Sequence, residues 1–89
     1  MNNTNLIKSL EFIRNKGFCH HTVRRAIKEF DKIKSYLTEE DRKNIGYYIL
    51  VLDPDYPDYC RHNHFTCEMF AYHIEKIIKS ITLGIYRRN

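Results

Sequence analysis

The chain is predicted to fold as an all-α protein, a compact bundle of about four helices. Three observations carry this prediction. Apolar residues recur at spacings of three and four through most of the 89 residues, which is the period of a helix with one buried face. Both prolines, Pro54 and Pro57, fall in one short loop, so the periodic stretches are free of the residue that breaks helices. The one run with strand-like composition, Tyr47 to Leu52, has only "TLGIY" near the C-terminus as a possible partner.

In the first segment, Leu6, Ile7, Leu10 and Ile13 form a stripe from Thr4 to Lys16. Thr4 is the expected cap, and Gly17 suits the left-handed residue that often ends a helix. The second segment, Thr22 to Leu37, is the clearest: Val23, Ala26, Ile27, Phe30, Ile33 and Leu37 step along one face. Thr38 followed by Glu39, Glu40 and Asp41 reads as a capped first turn, with acids where the helix dipole favours them. Ile45, Tyr48, Ile49 and Leu52 continue that stripe. The alternative is an α+β fold with a short strand at 46–52, since aromatic and β-branched residues favour strands. The last helix is expected from Phe65 or Thr66 to Thr82, with Phe70, Ile74, Ile77, Ile78 and Ile81 on one face together with Cys67 and Ala71. Gly84 frays or ends it, and "IYRRN" trails as a basic tail.

A chain of 89 residues makes one domain, 1–89, with a small core. It leaves little room for a deep substrate pocket, and no residues orient a base against a nucleophile, so no enzyme is expected. No stretch approaches the ~20 apolar residues of a membrane span. "MNNTNLIKSLEF" lacks the apolar run of a signal peptide. A reducing, cytoplasmic setting with free thiols is therefore expected for Cys19, Cys60 and Cys67.

The formal charge of +4 is unevenly spread. Residues 1–37 carry eight basic and three acidic side chains, residues 38–60 two and six, and residues 61–89 five and two. The basic first third suits a polyanion such as nucleic acid. On the second segment, Arg24, Arg25, Lys28 and Lys32 fall within an arc of about 100° opposite the apolar stripe.

Gly17, Phe18, Thr22, Val23, Arg24, Arg25, Ala26 and Ile27 together resemble the turn and second helix of helix-turn-helix DNA-binding proteins, over residues 6–30. That resemblance implies a recognition helix whose exposed cations meet bases and phosphates. It makes Thr22, Arg24, Arg25 and Lys28 the residues facing DNA, with Lys32, His20 and His21 near the backbone. It also implies a regulator that dimerises to reach two half-sites. The plainer alternative is a solvated face with surface pairs, Arg25 with Glu29 and Glu29 with Lys32.

Two further clusters compete. "CRHNHFTC" places Cys60, His62, His64 and Cys67 within eight residues. A zinc site of Cys60, His64 and Cys67, completed by Cys19 or His20, is conceivable, but the spacing matches no standard pattern and no cofactor is expected. "LDPDYPDY" sets Asp53, Asp55 and Asp58 beside Tyr56 and Tyr59 on a proline-stiffened loop. Such a loop suits a basic groove on a partner. The leading expectation is a non-enzymatic DNA-binding regulator. The alternative is a small inhibitor or adaptor, of the phage-encoded anti-CRISPR kind, that docks on a protein or ribonucleoprotein through these charged faces.

Overall fold

The stripes become four helices in a computed structural model, which describes residues 1–19, 21–55 and 64–87. They are α1 (Asn3–Gly17), α2 (Val23–Ile33), α3 (Glu39–Val51) and α4 (His64–Thr82), with a 3-10 turn at Lys34–Tyr36 after α2. There is no strand among the described residues, and the segment 46–51 that invited a strand is the C-terminal half of α3. Ile45 and Ile49 alternate with exposed Tyr47 and Leu50 at helical period, which buries one face without a partner strand.

Local details correct several boundaries. Asn2, not Thr4, caps α1: its Oδ1 accepts from the Asn5 N–H at 2.8 Å. The second segment ends as α-helix at Ile33, four residues short of Leu37, and the chain tightens into the 3-10 turn before Leu37 goes extended. At Thr38 the sequence reading holds, because its hydroxyl accepts from the Asp41 N–H at 3.1 Å.

Of the two glycines at helix ends, Gly17 departs from its expected role and Gly84 ends its helix as expected. Gly17 belongs to α1 and is buried; a Cβ there would lie 2.4 Å from Cε2 of Phe70. Its value is close approach, not a left-handed backbone. Gly84 takes the left-handed conformation, φ 73°. Its N–H donates to the Ile81 carbonyl and the Ile85 N–H to that of Ser80, both at 3.0 Å, the bonding pattern of a Schellman cap.

Contacts between helices fix the topology. Ser9 Oγ donates to Glu29 Oε2 at 2.7 Å, tying the middle of α1 to the middle of α2. Arg14 pairs with Glu75 at 3.5 Å, and Gly17 meets Phe70, so α4 descends beside a rising α1. Phe30 lies against Gly46, and Tyr48 stacks on His73 with centroids 5.4 Å apart. Each helix thus runs antiparallel to the next, and α4 closes the ring on α1: an up-down-up-down bundle. Leu10, Ile13, Val23, Ile33, Ile45, Phe70 and Ile74 fill its centre at 0% exposure.

Among the described residues that follow α4, Tyr86 acts as a clasp and is not part of a trailing tail. Tyr86 Oη donates to Asp41 Oδ2 at 2.6 Å and accepts from the Thr38 N–H at 2.9 Å, which ties the chain past α4 to the start of α3. Burial, reinforced by the Asp41 hydrogen bond, pushes the phenol from 10.0 to about 12. The neutral phenol is therefore the form the fold favours. Its stabilisation is complete below pH 10, where the unfolded chain would begin to ionise, and is lost as pH rises through about 12. Half-exposure of the ring limits the effect to about 1–1.5 kcal/mol. Tyr86→Phe is expected to lower stability by about 1–2 kcal/mol at pH 8. In urea unfolding at pH 8 and 11, the gap between the two proteins should narrow at the higher pH.

Candidate nucleic-acid interface

The joint between α1 and α2 is held from within. Thr22 is half-buried, and its hydroxyl donates to the carbonyls of Lys16, at 2.5 Å, and Cys19, at 3.2 Å. It precedes α2 without capping it through its side chain. That hydroxyl therefore faces the joint rather than the exposed surface on which the sequence reading placed it. Ser9 lies eight residues before the end of α1, and Glu29 six residues after the start of α2. At a rise of ~1.5 Å per residue these points stand about 12 and 9 Å from the joint. Side chains can meet there only if the helices lie side by side. The units that the joint resembles splay their helices at ~90–120°, whereas α1 and α2 form an antiparallel hairpin.

The outer flank of α2 is where the cations gather. Arg24, Arg25, Lys28 and Lys32 are all exposed, while Val23, Ala26, Phe30 and Ile33 on the other side are buried. Among the described residues, Arg25 and Lys28 have no ion-pair partner, and Lys32 reaches Glu29 only at 3.9 Å. The expected Arg25–Glu29 pair gives way to the bond from Ser9, which turns Glu29 toward α1. From Arg24 to Lys32 the flank spans about 12 Å. Like charges one helical turn apart repel, which raises the local potential.

Arg24 is engaged by the acidic loop. Its guanidinium forms an ion pair with the Asp55 carboxylate, with the two side chains 66% and 68% exposed. Asp53 is half-buried and accepts from the Asp55 N–H at 3.0 Å, which shapes the turn that brings Asp55 there. The two charged surfaces treated as rivals in the sequence thus touch. Nothing in the sequence signalled this, because it follows from α3 running back toward the start of α2.

The remaining candidates are scattered. His20, Tyr56, Asp58, Tyr59, Cys60 and His62 lie outside the described residues, as does the His64 side chain. His21 is exposed beside the joint, and so is Cys19. Cys67 is half-buried against the core, and burial pushes its thiol up, as suits a small apolar residue rather than a thiolate ligand. Among the described residues no three His, Cys, Asp or Glu side chains are grouped to hold a metal ion. No helix is long and apolar enough to cross a membrane among those residues.

One surface escaped the sequence reading. Rings of Tyr47, Tyr48, His73 and Tyr72 form a continuous row across α3 and α4, with successive centroids 5.4, 5.4 and 5.6 Å apart. The legible signal was that Tyr47 and Tyr72 fall off the apolar stripes of their helices. No protein-family model, no curated protein and no solved structure matches this chain.

Proposed function

We propose that this protein is a non-catalytic regulator that binds duplex DNA along the outer flank of α2. The observation that carries the reading is the row of exposed cations from Arg24 to Lys32, with Arg25 and Lys28 free of ion pairs among the described residues. Phosphates supply what such a row lacks, and each contact releases counterions from the duplex. Because α1 lies alongside, α2 offers its side rather than its tip. Contacts to phosphates therefore dominate over base edges, and sequence preference is modest. The acidic loop gives the rival reading, docking on a basic protein or ribonucleoprotein groove, less support: Asp55 already has a cation in Arg24.

Binding of a labelled duplex by the untagged full chain across a salt series tests the proposal. With three to four phosphates neutralised, log K should fall against log salt with a slope of about −3. Absence of binding at low ionic strength overturns the reading.

A further inference from the structure

Two hydrogen bonds lay α1 along α2. The Ser9 hydroxyl donates to Glu29 at 2.7 Å, and the Lys16 carbonyl accepts from the Thr22 hydroxyl at 2.5 Å. The pair therefore presents a common outer face, of which the flank of α2 is one half. On the other half, Lys8, Phe12 and Lys16 follow one another at a spacing of four. At ~100° per residue they fall within an arc of about 80° that runs from the solvent side of α1 toward Ser9. Lys8 is exposed, and half-buried Lys16 holds its ammonium 5.8 Å from the centroid of the half-buried Phe12 ring. Neither lysine has an ion-pair partner among the described residues. The neighbouring carboxylates are engaged or lie to the side. Glu29, between the two helices, accepts from Ser9 and has Lys32 at 3.9 Å. Asp31 pairs with Lys34 at 3.4 Å. Glu11 lies three residues before Arg14, on the edge of α1 that Arg14 turns to Glu75 of α4.

We infer that the nucleic-acid surface is the broad side of the α1–α2 hairpin, with Lys8 and Lys16 as a second row of phosphate contacts beside α2. This rests on the DNA reading above and adds residues and a mode of approach to it. Lys8 and Lys16 stand about 12 Å apart along α1, and Arg25 and Lys32 about 10 Å apart along α2. The two rows run side by side on axes about 8–10 Å apart. One helix with its side chains is ~10–12 Å across, so the pair spans about 20 Å. That is too wide to enter a major groove of ~12 Å. The hairpin therefore bridges the groove, and its two rows reach phosphates of opposite strands. The Ser9 bond serves this surface, because it keeps the Glu29 carboxylate between the helices and off Arg25. Phe12 serves it by holding the Lys16 ammonium over its ring.

Titration of a labelled duplex with the untagged full chain across a salt series counts the phosphates engaged. The flank of α2 supplies a slope of about −3 by itself, and with both lysines of α1 engaged the slope should steepen to about −5. Lys8→Gln with Lys16→Gln should return it to about −3 and weaken binding at low salt roughly 10–100-fold. Lys8→Arg with Lys16→Arg keeps the charges and should bind like the parent. Lys76→Gln with Lys79→Gln removes the same charge from the exposed side of α4 and should leave the slope nearly unchanged. Circular dichroism should be the same for all of these proteins. A parent that binds, with a glutamine pair that binds equally well, overturns the inference and leaves the α2 reading standing. So does an equal loss from the α4 pair, which would reduce the effect to net charge, or an arginine pair as weak as the glutamine pair, which would reduce it to altered packing. A parent that binds no duplex at low salt removes the DNA reading and this inference together, so the two failures are told apart.

Discussion

Replacing Gly17 with alanine is expected to destabilise the protein by about 2 kcal/mol, and replacing Phe70 with leucine as well should abolish that loss. Two effects oppose each other at this position. Alanine favours helix over glycine by up to ~1 kcal/mol. Against that, the new Cβ would stand 2.4 and 2.7 Å from two ring carbons of Phe70, far inside contact distance. Phe70 is fully buried and packed edge-on by Phe18, with centroids 6.4 Å apart, so the ring has little space to retreat into. Overpacking of a core typically costs ~1–3 kcal/mol, and the tightness of this contact puts Gly17→Ala at the upper end, ahead of the propensity gain. In a domain of this size the result is a fall in Tm of roughly 10 °C. Phe70→Leu alone costs about 1–2 kcal/mol for the lost ring, but in that background the alanine has room and its helix preference remains. Thermal or urea unfolding of the four proteins gives the coupling directly. An equal loss from alanine in both backgrounds would mean that Gly17 acts through its backbone, as its place beside a helix end suggests, and that the contact with Phe70 is unimportant.

That contrast shows where the sequence stopped being informative. The four helices were legible because their apolar stripes persist over three or more turns, and Thr38 with its three following acids marks a helix start without ambiguity. The fate of Gly17 was not legible, because a glycine that ends a helix and a glycine that admits a ring from a distant helix look alike in one dimension. Only the antiparallel run of α1 and α4 sets Phe70 against it. The same holds for Tyr86, whose partners Thr38 and Asp41 are far away along the chain. Of the candidate site, the exposure of Arg24, Arg25, Lys28 and Lys32 could be read from helical period alone. The inward turn of the Thr22 hydroxyl and the pairing of Arg24 with Asp55 could not, since both depend on how loops close.

The last of these contacts divides the cations of α2 into two classes, and that division predicts different outcomes for similar mutations. Arg25→Gln together with Lys28→Gln removes two side chains that have no ion-pair partner among the described residues. Each is expected to give one phosphate contact, so the salt slope should become shallower by about 2 and affinity at low salt should drop roughly 10–100-fold. Both residues are exposed, and the stability of the double variant should stay within ~0.5 kcal/mol of the parent. Arg24→Gln should lose less than either Arg25→Gln or Lys28→Gln, because binding DNA through Arg24 first gives up the Asp55 carboxylate. Asp55→Asn removes that competitor together with a negative charge beside the flank. An exposed ion pair is worth ~0–1 kcal/mol, so the asparagine variant should bind up to about fivefold more tightly. In an Arg24→Gln background the gain should shrink to the small effect of the lost negative charge. Equal losses at Arg24, Arg25 and Lys28 would show that the Asp55 contact is irrelevant in solution. Unchanged affinity and slope in the Arg25, Lys28 double variant would remove α2 as the DNA-binding surface altogether.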